Sequence, residues 1–381
     1  VATALVALCF AEAGSRVPQT GGPYAYVEVA LGPYIGYLCG VLLWLGLTLA
    51  MAAVGTVFAD ACSSLVPLLA GRLGHASLLA LIFVVLAWVN IRGARLGSGM
   101  SGVSTVAKIV PLVLFVALGV FHISPGNIAI TSWPPVRAVG EAGLVLMFAF
   151  FGMESALQVS GEVSDPSRTV PRAIGVALLG VGFLYIAAQL VAQGVLGSAL
   201  SDPETAKAPL AAAAARFAGP AGARIVLIGM ALSTFGFMTG MMLSTPRTLF
   251  ALAADGFMPR ALARVHPEFQ TPYVAIAMQA TIVFLIAITG TYLKLALLAD
   301  VAILMVYLAC CVAASRLRRL NVGAEKNPFL MPAGGVVPWL AAVLIAGLLY
   351  RASAVAWLLT GAVVALASLG YWIRGRGIKA G

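Results

Sequence analysis

Residues 147–156 read MFAFFGMESA. They lie in an apolar run, 138–161, interrupted only by Glu141 and Glu154. Ionisable residues inside membrane segments are costly and usually face the bundle interior or water. Gly152, two residues before Glu154, weakens an α-helix by about 1 kcal/mol relative to alanine. A glycine beside a carboxylate in an oily run predicts a helix that breaks near Gly152 and restarts near Ser155. Non-helical backbone at membrane depth is tolerated only where it lines a cavity. The restarted helix presents a positive N-terminal end to an anionic group. Discontinuous helices of this kind hold substrate carboxylates in secondary transporters. The competing reading is a kinked helix with Glu154 bonded to neighbouring hydroxyls.

The rest of the chain supplies the setting. Its 381 residues are 61% hydrophobic and 9% charged, against about a quarter charged in soluble domains. One polytopic, all-α membrane domain accounts for this. Apolar runs fall at 29–59, 73–91, 96–121, 138–161, 173–201, 225–246, 269–293, 295–315, 327–350 and 352–373. Most approach or exceed the length of about 20 residues that a membrane helix needs. They are too continuous for barrel strands, which alternate apolar and polar residues. A shorter apolar segment, ending near Ala11, precedes them and reads as the second half of a helix. The count is ten complete helices after a leading fragment.

The net charge of +10 does not point to nucleic acid, because the basic residues lie mostly between the apolar runs. With Arg16 on the cytoplasmic side and the sides alternating, 16 lysines and arginines fall inside and seven outside. That is the positive-inside bias of a multi-pass cell-membrane protein, with a cytoplasmic C-terminus. The five cysteines show no CxxC spacing and the three histidines are scattered. No metal site, cofactor or disulfide framework is indicated. No nucleophile–base constellation suggests an enzyme. The Ala-rich segment 201–220 reads as a short outer surface helix, and Pro171 as a helix start. Asp300, inside the run 295–315, reads as a buried partner for Lys294 or a backbone group, with no role in transport.

Three stretches carry a family resemblance. FAFFGMESALQVSGEVSDPSRTVPRAI (148–174) resembles the sixth helix and following loop of the amino acid–polyamine–organocation (APC) permeases. AEAGSRVPQTGGPYAYVEVALGP (11–33) resembles their second-to-third helix junction, and RTLFALAADGFMPRALARVHPEFQTP (247–272) the loop after the eighth helix. The likeness covers essentially the whole chain. It implies a LeuT-type fold of two inverted five-helix repeats around a central amino-acid site. In that frame residues 1–11 are a partial second helix, 23–316 the core bundle and 334–374 two peripheral helices. The first helix, and part of the second, would be lacking.

The resemblance also assigns residues. Phe148, Phe151, Gly152 and Met241 would line the substrate site. Phe148 matches an aromatic gate position, although packing is the commoner fate of a phenylalanine. Met241 falls where arginine-exchanging relatives carry a tryptophan. Methionine lacks that cation–π surface, which favours a neutral amino acid. Lys108 matches a lysine whose ammonium occupies the place of sodium in sodium-coupled relatives. The bland alternative is a lysine snorkelling to the interface. Glu154 and Lys108 are thus the coupling candidates. Glu12, Arg16, Glu162 and Arg168, in two cytoplasmic loops, would form an inner gate, or else be solvated charges of little energetic weight.

The function expected is secondary active transport of an amino acid, as antiporter or proton symporter. The partners implied are the amino acid, protons and the bilayer, without nucleic acid, and the residues leave the oligomeric state open. The alternative is a transport-inactive fragment, or a sensor or assembly partner, that keeps the fold.

Overall fold

The computed structural model describes residues 1–17, 22–93, 109–129, 133–153, 166–324 and 328–378. Lys108, Glu154 and Glu162 lie outside the described residues. Every regular element among the described residues is helical. In chain order these are α1 (Ala2–Arg16), α2 (Pro23–Leu31), α3 (Pro33–Leu65) and α4 (Arg72–Arg92). Next come α5 (Ile109–His122), α6 (Val136–Phe148), α7 (Pro166–Leu196), α8 (Pro203–Lys207) and α9 (Pro209–Ala254). The chain continues with α10 (Tyr273–Thr289), α11 (Tyr292–Arg319), α12 (Val337–Leu349) and α13 (Ala354–Ile378).

Six of the described helices are long and apolar enough to cross a membrane: α3, α4, α7, α9, α11 and α13. Three shorter apolar helices, α5, α10 and α12, accompany them. Together with α6 they occupy the ten expected runs, after α1.

Two local expectations are corrected. The run 29–59 is not one helix from its start. Gly32, at φ +95°, closes α2, and Pro33 opens α3 with a φ already suited to a first turn. Pro171 does not start α7 but lies inside it, because Pro166 provides an earlier start. The Ala-rich segment does contain a short helix, Pro209–Ala218, set off from the rest of α9 by a kink at Gly219 (φ +64°); Ala215, Arg216 and Ala218 are exposed, while Ala213 and Ala214 are buried with Phe115 of α5 and Val191 of α7. Methyl groups let α9 come close, so alanines that look neutral in sequence serve as a contact face.

The centre of the bundle is set by α3 and α11. In its most apolar window 83% of α3 is buried, against 11% for α13. Gly46 permits the α3–α11 approach, since a Cβ there would stand 2.5 Å from Ile303 Cγ1. Small residues at helix crossings are how membrane bundles gain dispersion contact without a hydrophobic drive. A polar clamp joins α3 to α10: Trp44 Nε1 donates to Gln279 Oε1 (2.8 Å), and Gln279 Nε2 donates to Thr48 Oγ1 (3.1 Å). Gln279 is fully buried, and these bonds offset the cost of placing an amide there. α1 packs beside this core, against α7, α11 and α12.

Candidate functional site

The break in α6 falls where the glycine and carboxylate predict it. The helix ends at Phe148. The amides of Ala149, Phe150 and Phe151 donate to the carbonyls three residues back, at 3.1–3.2 Å. Gly152 then takes φ +109°. Nothing lies within 4 Å of the place its Cβ would occupy. The backbone conformation, not crowding, therefore calls for glycine.

Aromatic rings converge on this break from three helices. Phe148 meets Tyr292 of α11 edge-on at 5.7 Å, and Phe151 meets Tyr307 of α11 at 6.2 Å. Phe10 of α1 packs edge-on against the same Tyr307 at 5.2 Å, and Thr3 Oγ1 points to Met147 Sδ at 3.6 Å. Phe148 and Phe151 are half-buried and touch each other at 5.3 Å. The structure thus brings Phe148, Phe151 and Gly152 together. Met241 is buried on α9, a turn from Met238, whose Sδ faces Gly55 of α3. It belongs to the large apolar cluster that also holds Phe10 and Tyr307 and against which Phe148 and Phe151 pack.

One acidic residue near the break is not placed as expected. Asp300 is fully buried, and among the described residues neither carboxylate oxygen has a hydrogen-bond partner. Lys294 is exposed and makes no bond to it. Six residues along a helix is about 9 Å, and the lysine follows the end of α11 outward to solvent.

At the other end of α1, Glu12 and Arg16 are buried, not solvated. Glu12 Oε1 accepts from Arg16 Nε at 2.9 Å and pairs with Nη2 at 2.8 Å. Its Oε2 accepts from Arg318 Nη1 at 3.2 Å and from the Met331 amide at 3.0 Å. Arg16 Nη1 donates to Val322 O at 3.1 Å, and the Phe329 amide donates to Ser15 Oγ at 2.9 Å. The network fastens the end of α1 to the end of α11 and the segment after it. Two glycines permit the closeness: a Cβ at Gly334 would overlap Arg318 Nη1, and one at Gly323 would meet Arg16 O at 2.5 Å.

Arg318 is the member that sequence reasoning missed. Its signal, RLRR at the end of an apolar run, reads equally well as positive-inside charge alone. Arg168 is exposed and, with Arg172, lines a mostly apolar groove of about 440 Å³ between α1 and α7. The buried ion network is built from Glu12, Arg16 and Arg318.

The amino acid permease family matches residues 1–372. A serine/threonine exchanger, SteT, of Bacillus subtilis (strain 168) is 28% identical over 346 residues, covering 88% of this chain and 76% of that protein. A methylthioribose transporter of the same organism is 28% identical over 400 residues, covering 99% and 84%. Among solved structures, MhsT in complex with L-phenylalanine has a TM-score of 0.57 at 15% identity, over 92% of this chain and 88% of that one. That likeness speaks to fold, and the fold is LeuT-type. A broken sixth helix framed by aromatic rings, several membrane-crossing helices and a match over nearly the whole length agree: this chain is a multi-pass membrane protein of the amino acid permease family.

Proposed function

We propose that this permease carries a neutral amino acid by alternating access, in exchange for a second amino acid or together with a proton. The observation that carries the reading is the α6 break at Phe148–Gly152, flanked by Phe10, Tyr292 and Tyr307. In a family of amino acid permeases, that is a helix ending inside an aromatic surround. Such a helix end suits the charged groups of an amino acid, and the rings suit an apolar side chain. Met241 would line the site from α9, and Glu154 and Lys108 would couple it.

The test is counter-exchange in liposomes loaded with unlabelled substrate, across a panel of labelled amino acids with labelled methylthioribose, a sugar, alongside. Faster uptake of one or more neutral amino acids into loaded than into empty vesicles is expected. Exchange of methylthioribose alone would replace the amino-acid reading, because an equally similar relative carries that name. No exchange by well-folded protein would favour a sensor or assembly role.

Lys108→Ala should impair transport more than it impairs expression, since its ammonium would stand in for a cation and hold neighbouring helices together. Kinetics like the parent's would return Lys108 to the interface as a snorkelling lysine. Sodium-dependent transport by the variant would be the sharpest support.

For sidedness, Arg168, Arg260 and the C-terminus would face the cytoplasm. Reporter cysteines near Arg168 and Arg260 should resist an impermeant thiol reagent applied outside intact cells. Strong labelling at either would overturn this orientation.

A further inference from the structure

We infer that Asp300 is a proton-binding site, protonated while α11 is packed and ionised when that packing opens to water. The inference rests on the transport reading only for its role in the cycle, not for the site itself. Three observations support the site. Asp300 is fully buried, and both its oxygens lack a partner among the described residues. It stands on α11 eight residues after Tyr292 and seven before Tyr307, the residues that meet Phe148 and Phe151. Seven residues are close to two helical turns, so Asp300 and Tyr307 share a face, and Tyr307 faces Phe10 and Phe151. The carboxyl therefore sits at the level of the α6 break.

Among the described residues, no nearby charge compensates an ionised Asp300. On its own helix Tyr292 is within electrostatic reach, with Tyr185 of α7 beside it. From α1, Glu12 and Arg16 engage each other and Arg318, eighteen residues or about 27 Å further along α11. From α6, Arg137 and Glu141 pair with each other at the exposed end. On α3, Asp60 is bridged by His75 and lies fourteen residues, about 21 Å, from the Gly46 crossing. α2 reaches α11 at Cys310, ten residues beyond Asp300, where Cys310 Sγ approaches Pro23 O, so Tyr24, Tyr26 and Glu28 belong to that lower contact. α12 carries no ionisable side chain, and Tyr371 of α13 stacks on Phe257.

An unpaired carboxylate in such surroundings carries a desolvation cost that the neutral acid avoids. The packed state therefore takes up one proton. Opening frees it again: the O–H bond breaks, both electrons stay on the carboxylate, and the proton passes to water. A cavity of about 600 Å³ lined by Asp60, His75, Thr291 and Tyr292 lies at the start of α11, eight residues or about 12 Å along the helix from Asp300, and is the side from which water would enter on opening. Closure thus consumes a proton and opening returns it. Rising pH should slow the closing half of the cycle.

The experiment pairs infrared spectroscopy with exchange kinetics on reconstituted protein. The parent at neutral pH should show the carbonyl stretch of a protonated carboxyl group. Asp300→Asn should lose that band and Glu154→Gln should retain it. Amino-acid exchange by the parent should slow as pH is raised, and Asp300→Asn, fixed in a neutral form, should lose that dependence. Asp300→Glu keeps a titrating acid, should shift both band and pH profile, and serves if the asparagine variant folds poorly. Absence of the band in the parent, or its persistence in Asp300→Asn, overturns the proton site. If the band behaves as expected but the parent exchanges no amino acid, the site stands and the transport reading falls. If exchange proceeds with the same pH profile in parent and Asp300→Asn, transport stands and Asp300 has no part in its cycle.

Discussion

Glu12→Ala should destabilise the protein by about 3–5 kcal/mol, the scale for removing one partner of a buried ion pair. The size of the effect comes from what is left behind. Arg16 is 5% exposed and would keep only the Val322 carbonyl as a side-chain partner. The Met331 amide would lose its acceptor, and Arg318 would lose one of two. An exposed pair of the same composition would be worth about 1 kcal/mol or less, so burial decides the magnitude. Unfolding of purified protein in detergent would measure the loss. Replacing Glu12 and Arg16 together by methionine should recover most of it, because apolar groups of similar volume often match a buried pair. A Glu12→Ala variant as stable as the parent would show that the network is not closed in the membrane. Within the transport reading, the same bonds would hold α1 and α11 together on the cytoplasmic side and would have to part when that side opens.

Glu154→Gln should abolish the response of transport to an imposed pH gradient while leaving substrate exchange measurable. A dry cavity favours the neutral acid and water favours the carboxylate, while the start of a restarted half-helix favours the anion. A group held between these influences changes protonation as access to water changes. A unit of pH across the membrane is worth about 1.4 kcal/mol per proton, or about tenfold in accumulation. The parent could therefore reach about tenfold per unit for one proton moved, and the glutamine variant should show none. Glutamine keeps size and hydrogen bonding but cannot titrate. A variant that still concentrates substrate as the parent does would remove Glu154 from coupling. One that neither binds nor exchanges would make the residue a structural clamp. Loss of gradient response in Asp300→Asn but not in Glu154→Gln would assign the coupled proton to α11.

Much of the bundle is legible in the chain because membrane helices are local objects. Each must satisfy its own backbone hydrogen bonds, so an apolar run of sufficient length specifies a helix without reference to its neighbours. The α6 break is legible for a related reason. Gly152 adopts its positive φ as a property of one residue, and a carboxylate in the same run marks a segment unsuited to lipid. Other signals were ambiguous locally. The prolines at 166 and 171 both suit a helix start, and sequence alone does not choose between them. Gly32–Pro33 ends one helix and begins another inside what reads as one continuous run.

The pairing of charges was a different kind of question. Glu12 and Arg16, four residues apart, could be read as partners on one helix, but their burial could not, since it depends on the chain 306 to 319 residues later folding over them. Asp300 likewise has an ordinary appearance beside Lys294. Only the packing of α1, α3 and α6 around α11 shows that its oxygens meet no donor among the described residues. Hydropathy and glycine placement determined the helices and the break, because those follow from backbone hydrogen bonding within a few residues. Tertiary packing decided which charges are paired, buried or left alone, because electrostatic cost depends on the solvent a neighbouring helix removes.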